Sequence, residues 1–233
     1  MTVQQLKFYA SAEHSCGYLP HRSSVSLFAD PDAQLNPNIY SVLIDHGFRR
    51  SGEHVYRPYC PGCDECIPLR IPLARFEPNR NQKRTLKRNQ DLRLNVSSAL
   101  TTEHFELYQR YISSRHAGGA MDKTDEIQFR QFLTSDWCNT VFIETYLQDK
   151  LIAVAVTDIV QQGWSAFYTF FDPELSHDRS LGRYAILRQV ELARAAQSEY
   201  LYLGYWIKDC AKMNYKSEYQ PLEQFQGERW IDF

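Results

Sequence analysis

The sequence predicts a mixed α+β fold, of α/β type in its larger part. It divides into a small cysteine-containing N-terminal domain (1–75), a basic connector helix (76–98) and a second domain (99–233). Three observations lead there. Cysteines recur at strict three-residue spacing in Cys60-Pro61-Gly62-Cys63-Asp64-Glu65-Cys66, inside a stretch that reads as short strands and turns. A one-signed basic run separates that stretch from the rest. Beyond it come three β-branched and aromatic runs, a long helix and one more strand. With 233 residues, of which 43% are hydrophobic, the chain can bury a sizeable core, and wholesale disorder is excluded. The N-terminus lacks the basic start and apolar core of a signal peptide, and no run approaches membrane-spanning length. The expectation is a soluble cytoplasmic protein with no membrane partner and no framework of structural disulfides. A formal net charge of −2 argues against a uniformly basic nucleic-acid binder.

Within the first 75 residues, 25–28 and 55–59 read as strand pieces, and 39–46 as a short helix that Gly47 ends as a C-cap. The run 67–74 reads as a strand interrupted by Pro68 and Pro72, which suits a sheet edge. Between Arg75 and Arg93, seven basic residues face only Glu77 and Asp91, a local net of +5. Arg80, Lys83, Arg84, Lys87 and Arg88 recur at i, i+3, i+4, i+7 and i+8, which puts all five on one helix face. A one-signed stripe suggests a polyanion, most simply a nucleic-acid backbone. The plainer alternative is a solvated face that balances the acidic remainder. Helices are expected at 103–115 and 125–133, then strands at 140–147, 151–159 and 164–171. Gln148-Asp149-Lys150 joins the first two strands as a tight hairpin, and Asp172-Pro173 ends the third. A helix at 181–198 precedes a strand at 200–205. This pattern occurs in acyltransferase-type domains and in other α+β domains.

Cys60, Cys63 and Cys66 with Cys16 make four thiols, enough for tetrahedral zinc or a cubane iron–sulfur cluster. Reduced, partly buried thiols, or a dithiol cycling to a disulfide, are the alternatives. Arg179-Ser180-Leu181-Gly182-Arg183-Tyr184 is expected at a strand-to-helix transition, where free N–H groups and the helix dipole favour a phosphate or a developing oxyanion. It resembles the R/Q-x-x-G-x-G/A pyrophosphate loop of Gcn5-related N-acetyltransferases. Tyr184 stands at the last small-residue position, where a ring is expected to obstruct coenzyme A. The same residues also read as an ordinary helix start.

Motifs along nearly the whole chain then converge: CGYL, YRPxCxxCxxC, PxRxQKRxLKRN, FYTFFDP, SLGRYAILRQVELA and YLGYWIKDCAKMNYKSEYQPLE. Together they resemble the bacterial aminoacyl-tRNA–protein transferases, relatives of the eukaryotic arginyltransferases. The resemblance implies an enzyme that moves leucine from leucyl-tRNA to the α-amine of proteins beginning with Asp or Glu, marking them for degradation in the N-end rule pathway. Arginyl transfer is the rival within the family. It also implies a Gcn5-related N-acetyltransferase-like second domain in which aminoacyl-tRNA replaces acyl-CoA. No coenzyme A and no DNA are then expected, and the basic stripe acquires tRNA as its partner. Eukaryotic relatives carry a C-x-x-C pair plus a later adjacent pair, with iron–sulfur or zinc binding attributed to them. Here Leu19 replaces the second cysteine of the first pair, so the ligand set and the metal stay open.

The implied reaction is aminolysis of an activated ester. An unperturbed α-amine has a pKa of roughly 7.7–8.0, so much of it is already neutral near pH 7.5. Holding amine and carbonyl in line can then supply most of the acceleration. Backbone N–H groups around Leu181 and Gly182 are expected to contact the terminal adenosine phosphate, with Arg179 and Arg183 adding charge. Tyr168, Tyr205 and Trp206 are expected to line a cleft for the leucyl side chain, Tyr168 being equally readable as sheet core. Asp172 and His177 are possible proton acceptors, and Lys212 and Lys216 possible tRNA contacts or solvated lysines. Reading an acidic N-terminal residue needs a cation. His21 and Arg22 are the first candidates, Arg70 and Arg75 the next. Cys138 and Cys210 read as inert. Two rivals of other classes remain: a CoA-dependent N-acetyltransferase, and a non-enzymatic metal-bound RNA-binding or redox-sensing module.

Overall fold

Hydrophobic alternation decides how the strands layer, and the turns decide their order. A computed structural model describes residues 6–115 and 124–233. Its N-terminal part runs β1 (Phe8–Ala10), β2 (His14–Ser15), β3 (Ser23–Ser24), β4 (Ser26–Ala29), α1 (Pro37–Asp45), β5 (Arg49–Ser51) and β6 (His54–Pro58). Then come β7 (Ile67–Pro72), α2 (Arg80–Arg88), β8 (Leu92–Ser97), α3 (Thr102–Arg115), α4 (Glu126–Leu133), β9 (Thr140–Leu147), β10 (Lys150–Val160) and β11 (Gly163–Phe171). The chain closes with α5 (Pro173–Arg179), α6 (Leu181–Ala195), β12 (Tyr200–Trp206), a 3₁₀ helix (Ala211–Glu218), β13 (Glu223–Gln226) and β14 (Arg229–Asp232).

Caps and turns account for most boundaries. Asn36 caps α1, accepting from Asn38 N and Ile39 N at 3.0 Å each, and Gly47 leaves the helix at φ +80°. Asn79 and Gln82 form a reciprocal capping box on α2, and Asp125 and Gln128 do the same on α4. Gln148, in the left-handed region at φ 55°, makes the two-residue turn from β9 to β10. The helices and strands expected at these places are present.

Two sheets result. The smaller has the order β1-β4-β6-β5, with β2 and β3 forming a separate two-stranded ribbon. The larger has eight strands in the order β14-β13-β7-β12-β11-β10-β9-β8. It is antiparallel throughout except for the parallel pair β11–β12, which α5 and α6 connect. On β10, Ala153 and Ala155 face the α6 side, while Val154 and Val156 face α3 and α4. Tyr202 and Val160 join Tyr40, Leu43, Ile44, Phe48 and Val55 in a core shared with the smaller sheet and α1.

The structure corrects the expectation that 67–74 lies at an edge, because β7 is internal, between β13 and β12. The prolines fit for a geometric reason. Leu73 N donates to Glu199 O, on the β12 side. By alternation the nitrogens of Pro68 and Pro72 face β13, with which only Leu69 and Arg70 are in register. Neither proline therefore loses a ladder bond. The larger sheet thus takes a strand from within residues 1–75 and another, β8, from within 76–98.

A buried ion pair locks the two sheets together. Arg50 on β5 grips Asp158 on β10, with Nε–Oδ2 at 2.8 Å and Nη2–Oδ1 at 2.6 Å, and neither side chain is exposed. Tyr40 and Thr140 donate to the same carboxylate, Leu133 O accepts from Arg50, and the guanidinium lies 4.0 Å from the Phe167 ring centre. Asp158→Ala would strand that cation, at an expected cost of about 3–5 kcal/mol in urea unfolding. A loss below ~1 kcal/mol, the worth of a surface pair, would contradict this role.

Candidate active site

The parallel pair β11–β12 does not stay paired. Register runs only from Gly163–Tyr200 through Trp164–Leu201 to Ser165–Tyr202, although both strands continue. Each strand bulges just beyond that point: Phe167 is the extra residue against β10, and Leu203 the extra residue against β7. A bulge bends its strand and increases local twist, so the two strands diverge as a fork.

Two cations close the fork's base. Arg49, only 7% exposed, donates from Nη1 to Ser165 Oγ and from Nη2 to Ala166 O, both at 2.9 Å. Ala166 is the first β11 residue beyond the last paired position. Gly204, at φ +73°, lets β12 pass this guanidinium; a Cβ there would lie 3.2 Å from Arg49 Nε. Lys216 of the 3₁₀ helix is half-buried, and its Nζ donates to Tyr205 O at 2.6 Å. Burial, then the Arg49 charge, lower the Lys216 ammonium to about 7, while Cys210 opposes the shift. Among the described residues neither Arg49 nor Lys216 has a carboxylate ion-pair partner.

Tyrosines surround these cations. Tyr205 donates to Gly47 O at 2.8 Å. Burial raises the phenols of Tyr56, Tyr205 and Tyr215, and the Arg49 charge pulls each of them back. Tyr215 also feels Tyr111, whose helix α3 packs against β11. The place offers hydrogen-bond donors, positive charge and aromatic walls between diverging strands.

The expected residues are distributed more widely than the sequence suggested. Tyr205 lies at the fork, but Trp206 faces the opposite side of β12, against the α6 core and 5.0 Å from Phe233. Tyr168 packs in the aromatic cluster under α3 and α4, 5.2 Å from Phe132. Asp172 caps α5 through Glu174 N at 3.0 Å and pairs with Lys150 at 2.8 Å. Burial alone would raise its carboxyl, yet the Lys150 and backbone bonds hold it below the ordinary range, so it is a committed cap. His177 is almost wholly exposed beside Asp178.

The loop before α6 is not a strand-to-helix turn, because α5 intervenes and Ser180, at φ 53°, joins the two helices. Leu181 is fully buried. Gly182 lets the Phe171 ring approach, at 3.2 Å from a would-be Cβ. Tyr184 does not obstruct the loop: it is fully buried, and its hydroxyl accepts from Arg188 Nε at 3.0 Å. Arg179 is held bidentately by Asp91 at 2.9 Å and Arg183 by Glu218 at 2.6 Å, so neither presents a free charge. Lys216 points into the fork rather than outward, whereas Lys212 is exposed.

Four of the five stripe residues share one exposed face. Arg80, Lys83, Arg84 and Lys87 are exposed and line a shallow depression of about 400 Å³. Arg88 turns away to donate to Asp178 O. Of the acceptor candidates, Arg70 is paired with Asp45 at 2.7 Å and Glu223 at 2.8 Å, and Arg75 with Glu223 and Asp232 through Nη2. His21 and Arg22 are exposed on the turn between β2 and β3.

The four N-terminal cysteines are half-buried and free. Burial, followed by Cys60, Cys16 and Cys63, pushes the Cys66 thiol up to about 12, so the other three thiols lie within electrostatic reach of Cys66. Leu19 N and Val25 N donate to Cys16 and Cys60 sulfurs, each at 3.4 Å. The sulfurs are ligands of the kind a soft metal takes. Among the described residues, no three His, Cys, Asp or Glu side chains form a group set to hold a metal ion. Cys138 and Cys210 have no part in this group; burial pushes the Cys138 thiol up to about 12.

Comparison with known proteins agrees with this organisation. Residues 14–84 match the family model "Arginine-tRNA-protein transferase, N terminus", and residues 103–226 match "Arginine-tRNA-protein transferase, C terminus". Proteins named aspartate/glutamate leucyltransferase are similar over 98% of this chain and 97% of their own. Those of Pseudomonas fluorescens (strain Pf0-1) and Pseudomonas putida (strain GB-1) are 50% identical, and that of Pseudomonas syringae pv. syringae (strain B728a) is 49% identical. At that identity and coverage, the chain belongs to the arginine-tRNA-protein transferase family, as an aminoacyltransferase of its leucyltransferase branch.

Proposed function

We propose that this chain transfers leucine from leucyl-tRNA to the N-terminal α-amine of cytoplasmic proteins beginning with Asp or Glu, creating an N-end rule degradation signal. The observation that carries this is the half-identity, end to end, with proteins named aspartate/glutamate leucyltransferase. Those names do not favour arginine as the donor. The antiparallel run from β8 to β11, then α6 and parallel β12, supports an acetyltransferase-like second domain in which the fork receives the aminoacyl ester. Amine and ester meet there, and the chain's contribution is chiefly alignment and exclusion of water between tyrosine walls. The attacking amine forms the new amide bond to the leucyl carbonyl. The ester bond to the terminal ribose breaks, and the ribose oxygen takes up the proton that the amine loses. Donors around the fork stabilise the tetrahedral oxyanion in passing. The unpaired stripe on α2 supplies phosphate contacts for the tRNA.

Purified protein is expected to add leucine to Asp- and Glu-initiated peptides, not Ala-initiated ones, from leucyl-tRNA and not arginyl-tRNA, with all activity lost on RNase treatment. Replacing Arg80, Lys83, Arg84 and Lys87 together by Ala should raise KM for leucyl-tRNA and flatten its salt dependence, by ~0.7–0.9 in log–log slope for each phosphate no longer neutralised. Transfer of arginine would change the donor. An unchanged KM would return the stripe to a solvated face.

The N-terminal thiols take a structural role in the same reading: drawn closer than the described geometry holds them, Cys16, Cys60, Cys63 and Cys66 would hold zinc or an iron–sulfur cluster as a staple. Such a staple would tie Cys16, just after β2, to the 60–66 segment between β6 and β7. No step of the transfer runs through it. Metal analysis of anaerobically purified protein should find bound zinc or iron that Cys63→Ser and Cys66→Ser remove. Protein free of both metals would rule the staple out.

A further inference from the structure

An acidic N-terminal residue brings a carboxylate that must be desolvated as the amine enters the fork, and a desolvated carboxylate requires a cation. The arginines of this chain divide sharply by partner. Arg50 has Asp158, Arg70 has Asp45 and Glu223, Arg75 has Glu223 and Asp232, Arg179 has Asp91, and Arg183 has Glu218. Arg49 is buried about as deeply as Arg70 but, among the described residues, is satisfied only by the neutral oxygens of Ser165 and Ala166. A buried guanidinium with no counter-ion is costly unless something else supplies the charge. Lys216 lies within its field and is likewise bound only to a neutral carbonyl, that of Tyr205.

We propose that Arg49 and Lys216 together form the acceptor-specificity site, receiving the side-chain carboxylate of the substrate's N-terminal Asp or Glu at the base of the β11–β12 fork. This rests on the leucyl-transfer reading and names the residues that would choose its acceptor. Arg49 would keep its bonds to β11 while its remaining N–H groups face the carboxylate; five donors allow both. Lys216, carried on the 3₁₀ helix beside β12, supplies the second charge at Tyr205, next to the Gly204 that Arg49 passes. Both cations sit beyond the last paired residues of the two strands, where an extended N-terminus can enter between them. Burial first, and the Arg49 charge second, lower the Lys216 ammonium; an arriving carboxylate opposes both, so the bound anion and the protonated lysine stabilise each other. The plain consequence is selectivity for Asp and Glu over their uncharged isosteres Asn and Gln.

The test compares wild type, Arg49→Lys and Lys216→Met on peptides beginning with Asp or Asn, with leucyl-tRNA as donor and thermal unfolding as a check on folding. Wild type should prefer Asp. Each variant should lose about ten- to a hundredfold of that preference in kcat/KM, the worth of one charge-assisted bond, with KM for leucyl-tRNA unchanged. Lys216→Met keeps the test open if Arg49→Lys fails to fold, because the lysine is half-buried and bonds only one backbone carbonyl. Retained Asp preference in folded variants would overturn the assignment. So would an equal loss on both peptides with a raised KM for leucyl-tRNA, which would place a tRNA phosphate, not the acceptor, on these cations. Wild type that leucylates Asp and Asn peptides equally would remove the specificity site and leave the transferase reading intact. Wild type that leucylates nothing would remove both.

Discussion

Two adjacent guanidiniums on β5 must be satisfied inside the protein, and the way each is satisfied fixes where the smaller sheet sits on the larger one. Strand alternation sends Arg50 to Asp158 and Arg49 to Ser165 and Ala166, on neighbouring strands of the larger sheet. The first is a fully buried ion pair with both carboxylate oxygens bonded; the second, among the described residues, is a cation bound only by neutral acceptors. A shift of β5 by one residue would exchange their faces and break both. The docking of the two sheets and the chemistry of the fork therefore depend on a single register.

That register also explains why the fork is open. Bulges at Phe167 and Leu203 turn β11 and β12 apart, and Gly204 leaves room for the Arg49 side chain between them. Phe167 serves twice, as the bulge residue and as the ring beneath the Arg50 guanidinium. Under the leucyl-transfer reading, this divergence admits the aminoacyl ester and the acceptor amine. On the same reading the exposed charge on α2 would hold the tRNA body, while Arg179 and Arg183, neutralised by Asp91 and Glu218, hold the α5–α6 junction in shape.

Local signals made much of the architecture legible. The exit at Gly47 marked the end of α1, the 3.6-residue period marked the stripe on α2, and the β-branched runs marked β9, β10 and β11. The position of β7 was not legible. Pro68 and Pro72 argue for an edge unless the side their nitrogens face is known, and that depends on strands far away in sequence, β12 and β13. The same limit hid the fork. Arg49 stands in Phe-Arg-Arg-Ser-Gly-Glu, to which the sequence attaches no role, and its partners lie 116 and 117 residues further on. Two consecutive arginines in a short strand were the available clue, since alternation must bury at least one of them if both faces are covered. Lys216 looked like a solvated lysine because a 3₁₀ helix, with three residues per turn, aims it differently from the helix its sequence suggests. Tyr184 looked obstructive for the opposite reason: its ring turns into the core.

A crystal structure of the protein with a non-hydrolysable leucyl-adenosine amide and an Asp-initiated peptide would test the role of the fork most directly. The leucyl carbonyl is expected between β11 and β12, with the peptide's first side-chain carboxylate within hydrogen-bond distance of Arg49 and Lys216. A carboxylate held instead by Arg22 on the β2–β3 turn, or a leucyl group seated outside the fork, would contradict that role.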